Sequence, residues 1–258
     1  MLTEDLTPTP SLIVCGDTHL GRGDATTGFG GAPEDFAAFL RQLAERAQLV
    51  VVQGDLFDLD RGSFPCAQAL EFKAIRSRWA VVERAIEESG IRVLSGNHDR
   101  ALLGKEFAGA RVCERYAVRV GERRVWIEHG ERFDAWIKRW RGFTSFVTWV
   151  SGRVQRGPFS PLYRMLRWFE RTTTGDADGA LESRIIGWFR TSPELDILIF
   201  GHTHRRYHRN VGGRWLVNPG DTMGSRFRFV ELCANAGELR FGSGDGRSAL
   251  VIDEIIKL

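Results

Sequence analysis

Short apolar runs alternate with helical periodicity over the first hundred residues. Leu12 to Cys15 is a continuous apolar run that stops at Gly16-Asp17, the pattern of a buried strand. Pro33 to Ala47 repeats apolar residues at helical spacing (Phe36, Phe39, Leu40, Leu43), with proline and acids at its start, where a helix tolerates them. Leu49 to Val52 predicts a second strand ending at Gly54-Asp55. Ala67 to Glu88 predicts one helix, stopped by Gly90 and followed by a third strand from Arg92 to Leu94. Such a β-α-β-α-β order implies parallel strands joined by right-handed crossovers. Downstream the pattern changes. Tyr116 to Val120 and Arg124 to Glu128 alternate around Gly121-Glu122, and Tyr207 to Val211 and Arg214 to Val217 flank Gly212-Gly213. Both read as hairpins. Asp196 to Phe200 is another buried strand, and Phe227 to Cys233 pairs with Glu238 to Phe241 around Asn235-Ala236-Gly237. The fold class is therefore α/β grading into α+β, with two packed sheets and helices outside, and residues 1–258 form one domain.

Composition alters this picture little. The chain has 258 residues, 43% hydrophobic and 27% charged, and no apolar run approaches the roughly 20 residues that cross a bilayer. Met1 to Pro10 is acidic and proline-containing, unlike a signal peptide, so the expected location is the cytoplasm. Cys15, Cys66, Cys113 and Cys233 lack the spacing of a zinc knuckle or a disulfide framework and read as free thiols. A net charge of +3 does not call for nucleic acid, and none is expected as a partner.

The chemistry sits at the ends of the strands. Each carries metal-ligand side chains: Asp17-Thr18-His19, Asp55 to Asp58, Asn97-His98-Asp99, His129-Gly130 and Gly201-His202-Thr203-His204. Five of the six histidines fall in these motifs, and only His208 stands apart. Ligands gather at the carboxyl ends of strands in open α/β sheets, so the five ends can converge on one site. Carboxylate, imidazole and amide oxygen together suit Mn²⁺, Fe or Zn²⁺ better than Ca²⁺. Two such ions need a shared ligand, a role a carboxylate fills, and sharing lowers the pKa of a water between them.

The series from Asp17 to His204 resembles the calcineurin-like metallophosphoesterase superfamily. That resemblance implies the metallophosphoesterase fold, two facing mixed sheets flanked by helices, and it implies roles. Asp17, His19 and His204 would hold one metal, Asp55 would bridge, and Asn97, His129 and His202 would complete the second. His98 would be the catalytic stabiliser or general acid, oriented by Asp99, with Asp58 behind a ligand histidine. Asn218-Pro219-Gly220 resembles a turn found near the site in smaller members, making Asn218 a supporting residue. Two divalent ions, foremost Mn²⁺, are the implied cofactors.

The segment between His129 and Gly201 is longer than the metal scaffold needs. From Glu131 to Arg190 it carries eleven basic against six acidic residues, and it holds Trp136, Trp140, Trp149, Trp168 and Trp188. Phe133 to Val150 and Leu162 to Thr172 have helical spacing, so residues 133–190 are expected to form a helical cap inserted within the domain. The aromatics suit either the core of a small subdomain or a greasy cleft with a cationic rim for a phosphorylated lipid-like substrate, with Trp140, Arg164 and Arg167 as substrate-binding candidates. The cap could also rest peripherally on the inner membrane surface. Chain length, the insertion after His-Gly, the run Gly201 to Arg205, and His129 to Asp134 are similar to UDP-2,3-diacylglucosamine hydrolases, which cleave a pyrophosphate in lipid A biosynthesis. His98 departs from the arginine of that branch and matches the wider superfamily. A soluble-nucleotide phosphodiesterase or general phosphatase is the alternative enzyme, and a non-catalytic scaffold of the same fold the alternative of another class.

Overall fold

Runs such as Leu12–Cys15 are apolar at every position because the strands are covered on both faces. In the computed structural model, residues 2–24, 29–62, 64, 67–156 and 179–258 are described. One six-stranded sheet has the order β14-β13-β12-β2-β3-β4, built from β2 (Ser11–Cys15), β3 (Leu49–Val52), β4 (Arg92–Val93), β12 (Phe227–Cys233), β13 (Glu238–Gly244) and β14 (Val251–Lys257). A second has the order β1-β7-β8-β9-β11-β10, from β1 (Leu2–Thr9), β7 (Arg115–Val120), β8 (Arg123–Glu128), β9 (Ile197–Phe200), β10 (Tyr207–Val211) and β11 (Arg214–Asn218). A small hairpin, β5 (Glu106–Phe107) and β6 (Ala110–Arg111), stands apart. In the first sheet β2, β3 and β4 are parallel, and in the second β8 runs parallel to β9.

Strand alternation sorts the side chains into three apolar layers. Leu12 and Val14 face the second sheet and pack with Val118, Val125, Ile127, Ile197 and Ile199. Ile13 and Cys15 face the other way, toward α1 (Pro33–Arg46) and α4 (Ala80–Glu88), whose Phe36, Phe39, Leu40, Val82 and Ile86 share their cluster. On the outside of the second sheet, Leu198, Phe200 and Leu216 meet Leu181, Ile185 and Phe189 of α6 (Ala180–Arg190). The result is helix, sheet, sheet, helix. Two mixed sheets flanked by helices are the architecture expected from the sequence.

One expectation needs correction. The helix expected over 67–88 is two, α3 (Gln68–Ile75) and α4, separated by tight turns in which the amides of Arg78, Trp79 and Ala80 donate to carbonyls three residues back. The apolar spacing runs through the break, so periodicity alone does not reveal it. Trp79 holds the break in place, with its ring buried against Phe29 and its Nε1 donating to the Gly21 carbonyl at 2.7 Å. Within the stretch expected to form the cap, α6 packs on the outer layer of the second sheet. Leu162 to Thr172, with Arg164 and Arg167, lies outside the described residues. The acidic N-terminal segment is an edge strand pairing in parallel with β7, and β14 is the opposite sheet's edge. Cys15 is a buried free thiol and Cys233 a half-buried one, and Cys113 is buried.

Among the described residues of this stretch, α5 (Ala135–Arg156) is kinked at Trp140, where φ is −126° and ψ 33°. It lies along the short α2 (Leu59–Gly62). Ser145 Oγ donates to buried Asp60 at 2.9 Å, and a methyl group on Gly152 would stand 2.6 Å from the Arg61 carbonyl oxygen.

Because Trp79 fixes both the helix break and the loop leaving Leu20, its removal should be felt globally. Trp79→Ala is expected to lower unfolding free energy by about 3–5 kcal/mol, and Trp79→Phe, which loses chiefly the hydrogen bond, by about 1 kcal/mol. Urea denaturation followed by far-ultraviolet circular dichroism measures both.

Candidate metal centre

The strand ends from both sheets meet. Past β2 lie Asp17 and His19, past β3 Asp55, past β4 Asn97 and His98, past β8 His129, and past β9 His202 and His204. Backbone hydrogen bonds lock these loops together. The amides of Thr18 and His19 donate to the Asp55 carbonyl at 3.2 and 2.9 Å, Gly201 donates to His129 at 2.9 Å, and Thr222 to Asp17 at 2.8 Å.

The contacts run in series. His204 Nε2 is 3.2 Å from Asp17 Oδ2 and 3.2 Å from His19 Nε2. His19 Nε2 is 3.6 Å from Asp55 Oδ2, and the same oxygen is 3.2 Å from His129 Nε2. His129 Nε2 lies 3.1 Å from Asn97 Oδ1, and the rings of His129 and His202 are 5.2 Å apart. Asp55 therefore stands between the Asp17-His19-His204 group and the Asn97-His129-His202 group, the place a shared ligand would occupy.

The backbone pays for this convergence with strain. His19, Asp55, His202 and His204 have φ of 53°, 49°, 69° and 58°, the left-handed region that side-chain-bearing residues avoid. Glycines make room where carboxylates come close: a methyl on Gly96 would stand 2.1 Å from Asp55 Oδ1, and one on Gly201 2.5 Å from Asp17 Oδ1.

The residues fit a pair of divalent cations. Asp17 Oδ1 and His129 Nδ1 are buried, 3.5 Å apart, and make no hydrogen bond. His19 and His204 face each other through ring nitrogens, and two such nitrogens need a proton or a cation between them. Burial, with His98 nearby, lowers His19 to about 3, and burial also lowers His204 despite the pull of Asp17, so both rings favour the neutral form that offers a lone pair. Asp55 is held well below the usual carboxylate range: burial opposes its charge, but His129 and His98 outweigh it.

The structure rearranges the supporting roles. The sequence reading has Asp99 orient His98, but Asp99 accepts from the backbone amides of Gly96 at 2.7 Å and Phe57 at 3.4 Å. It braces the turn, and burial beside Asp55 lifts it to about 7. His98 is held by Asp58, which receives its Nδ1 at 3.0 Å and lies 3.9 Å from His19 Nδ1. Burial works against charge on His98, but Asp55 and Asp58 lift its imidazole to about 10. Asn218 donates to the Gly201 carbonyl at 3.0 Å and Thr203 Oγ1 at 3.1 Å, supporting the loop that carries His202 and His204. Trp140 sits on the exposed side of α5 beside Trp136. Asp134 enters the sequence reading only as the end of the His129 to Asp134 motif, and its role appears in the structure: its Oδ2 lies 3.2 Å from His202 Nε2.

A cation must displace protons here, so its affinity depends on pH. Asp55 and Asp17 raise His129 well above its ordinary 6.5 against the effect of burial, whereas His19 is already neutral above about 3. Binding is therefore expected to release a proton from His129, and affinity should fall by about tenfold per pH unit below that raised pKa. Calorimetric Mn²⁺ titrations in buffers of different ionisation enthalpy measure the release; equal heats would contradict it.

No helix among the described residues is long and apolar enough to cross a membrane. None of the curated proteins matches the chain. Among solved structures it is similar to a Vps29 single mutant from Entamoeba histolytica, at 17% identity over 96% of this chain and 99% of that one, with a TM-score of 0.48. It is also similar to an uncharacterized, predicted phosphoesterase from Streptococcus pneumoniae (17%, 98% and 98%, TM-score 0.45) and to an archaeal phosphodiesterase (14%, 91% and 99%, TM-score 0.43). The model of the calcineurin-like phosphoesterase family matches residues 10–206, and that of the calcineurin-like phosphoesterase superfamily domain residues 179–236. With well over half of its length matched, the chain belongs to the calcineurin-like phosphoesterase family.

Proposed function

We propose that this chain hydrolyses a phosphoanhydride or phosphodiester in an amphipathic substrate, using two divalent cations, with Mn²⁺ the first candidate. The observation that carries this reading is the placement of Asp55 between two groups of ligand-type side chains. Asp17, His19 and His204 would hold one cation, Asn97, His129 and His202 the other, and Asp55 both. Bound there, the cations supply Lewis acidity toward phosphoryl oxygens and acidify water.

The chain's own residues do the rest. Asp58 takes His98 Nδ1, which leaves Nε2 as the nitrogen able to donate to substrate. A protonated His98 offers positive charge to the phosphoryl group and a proton to the departing oxygen. Asp99, bonded to backbone amides, keeps the turn that carries Asn97 and His98 in place.

The substrate reading rests on α5. Its 22 residues contain Lys138, Arg139, Arg141, Arg153 and Arg156 but no acid. Trp140, Phe143 and Phe146 are each more than 40% exposed. Exposed aromatics among basic residues suit an anionic, lipid-bearing substrate or the membrane surface that holds it. A UDP-2,3-diacylglucosamine-type pyrophosphate is the finer form of this proposal. His98, where that branch has arginine, favours a second reading, a phosphodiesterase of soluble nucleotides.

Asp55→Ala is expected to abolish turnover and lower the content of both metals, read by elemental analysis. His98→Ala should keep both metals and lose turnover by on the order of 10²–10⁴-fold, with a smaller loss on nitrophenyl esters, whose leaving group needs no proton. Full metal and normal turnover in Asp55→Ala would remove the proposal's foundation.

Phe143→Ser with Phe146→Ser should weaken co-sedimentation with anionic phospholipid vesicles and hydrolysis of acylated sugar nucleotides. Activity on a nitrophenyl phosphodiester should be unchanged. Equal activity of the double variant on acylated and soluble substrates would favour the nucleotide reading.

A further inference from the structure

We propose that Asp134 is a positioning residue that aims His202 at the second cation while fastening the first turn of α5, so that insertion and metal site are seated by one carboxylate. The inference rests on the two-cation reading above.

Asp134 divides its two oxygens between two tasks. Oδ1 accepts from the amides of Trp136 at 2.8 Å and Ile137 at 3.2 Å, which are the second and third residues of α5. That is the geometry of a helix N-cap, satisfying two amides that the helix itself cannot. Oδ2 is 3.2 Å from His202 Nε2. Asp134 is only 6% exposed, and the His202 side chain 7%, so the contact is shielded from water.

The chemistry follows from the ring. A neutral imidazole carries one N–H and one lone pair. With Nε2–H directed at a carboxylate, Nδ1 keeps the lone pair, which fixes the tautomer and makes that nitrogen a better donor to a metal. The rest of the loop limits the ring's freedom. His202 sits at φ 69° and its amide donates to Asp17 Oδ2 at 2.9 Å. Asp134 is seated from the other side, since Arg184 Nε donates to the Phe133 carbonyl at 2.7 Å and so ties the preceding turn to α6.

A cap alone and a cap that also orients a ligand differ in one substitution. Asp134→Ser keeps a good N-cap but is too short to reach His202. Mn²⁺ binding to the full chain, by calorimetry and electron paramagnetic resonance, should show a 10–100-fold loss of affinity for one of two ions. Melting of the metal-free variant should stay near wild type. A double variant with His202→Ala should bind no more weakly than His202→Ala alone, because Asp134 acts through that ring. Asp134→Asn, close in size, should show the same loss of affinity and serves if the serine variant does not fold. Unchanged affinity for both ions, or losses that add in the double variant, would overturn the role of Asp134 alone. Fewer than two ions on the wild-type chain would overturn the two-cation reading and this inference together.

Discussion

Asp17 and Asp55 are both withdrawn from water and repel each other across one small volume. Burying one carboxylate without compensation is costly, and burying two requires positive charge at the same place. Histidines supply part of it, and a pair of divalent cations would supply the rest. Much else in the molecule exists to make that crowding possible. The parallel strands of both sheets end at the same edge, so five loops reach one point. Glycines clear space for carboxylate oxygens, and four of the converging residues sit in left-handed backbone. Such strain persists only where the surroundings over-determine it. Here the surroundings are two apolar layers on either side of β2, β3 and β9, which hold the strands too firmly for the loops to relax.

The support around these ligands is layered with them. Asp58 holds His98, Asp99 braces the turn beneath it, Asn218 ties down the loop of His202 and His204, and Asp134 meets His202 from the insertion. Each carboxylate or amide is committed to a defined partner, which converts a cluster of side chains into one geometry. The insertion is not an ornament on this scheme. α5 is bonded to α2 next to Asp58 through Asp60 and Ser145, and to the far side of the site through Asp134, so it spans the rim of the metal centre.

How much of this could be read in the sequence follows from what the residues had to do. β2, β3 and β9 are buried on both faces, so their apolar runs announce them, and their abrupt ends at polar residues announce the site. β1 and β14 escaped notice because they are sheet edges. Leu2–Thr9 contains a proline, Pro8, and its register shifts between Asp5 and Pro8, and Val251–Lys257 is mostly exposed. Edge strands need pair only once and carry little hydrophobic pattern. The break between α3 and α4 keeps helical spacing through the turn, so only the burial of Trp79 reveals it. Asp134 was legible as part of a motif but not in its role, because its contact with His202 joins residues 68 positions apart. Asp99 misled for the opposite reason: adjacency to His98 in sequence suggested a contact that the turn directs elsewhere.

The central claim is that Asp55 lies between two cations. The direct measurement is anomalous X-ray diffraction from crystals grown with Mn²⁺. The account predicts two peaks about 3.5–4 Å apart, both in contact with Asp55, one beside Asp17, His19 and His204 and the other beside Asn97, His129 and His202. A single peak, or ions that leave Asp55 untouched, would contradict it.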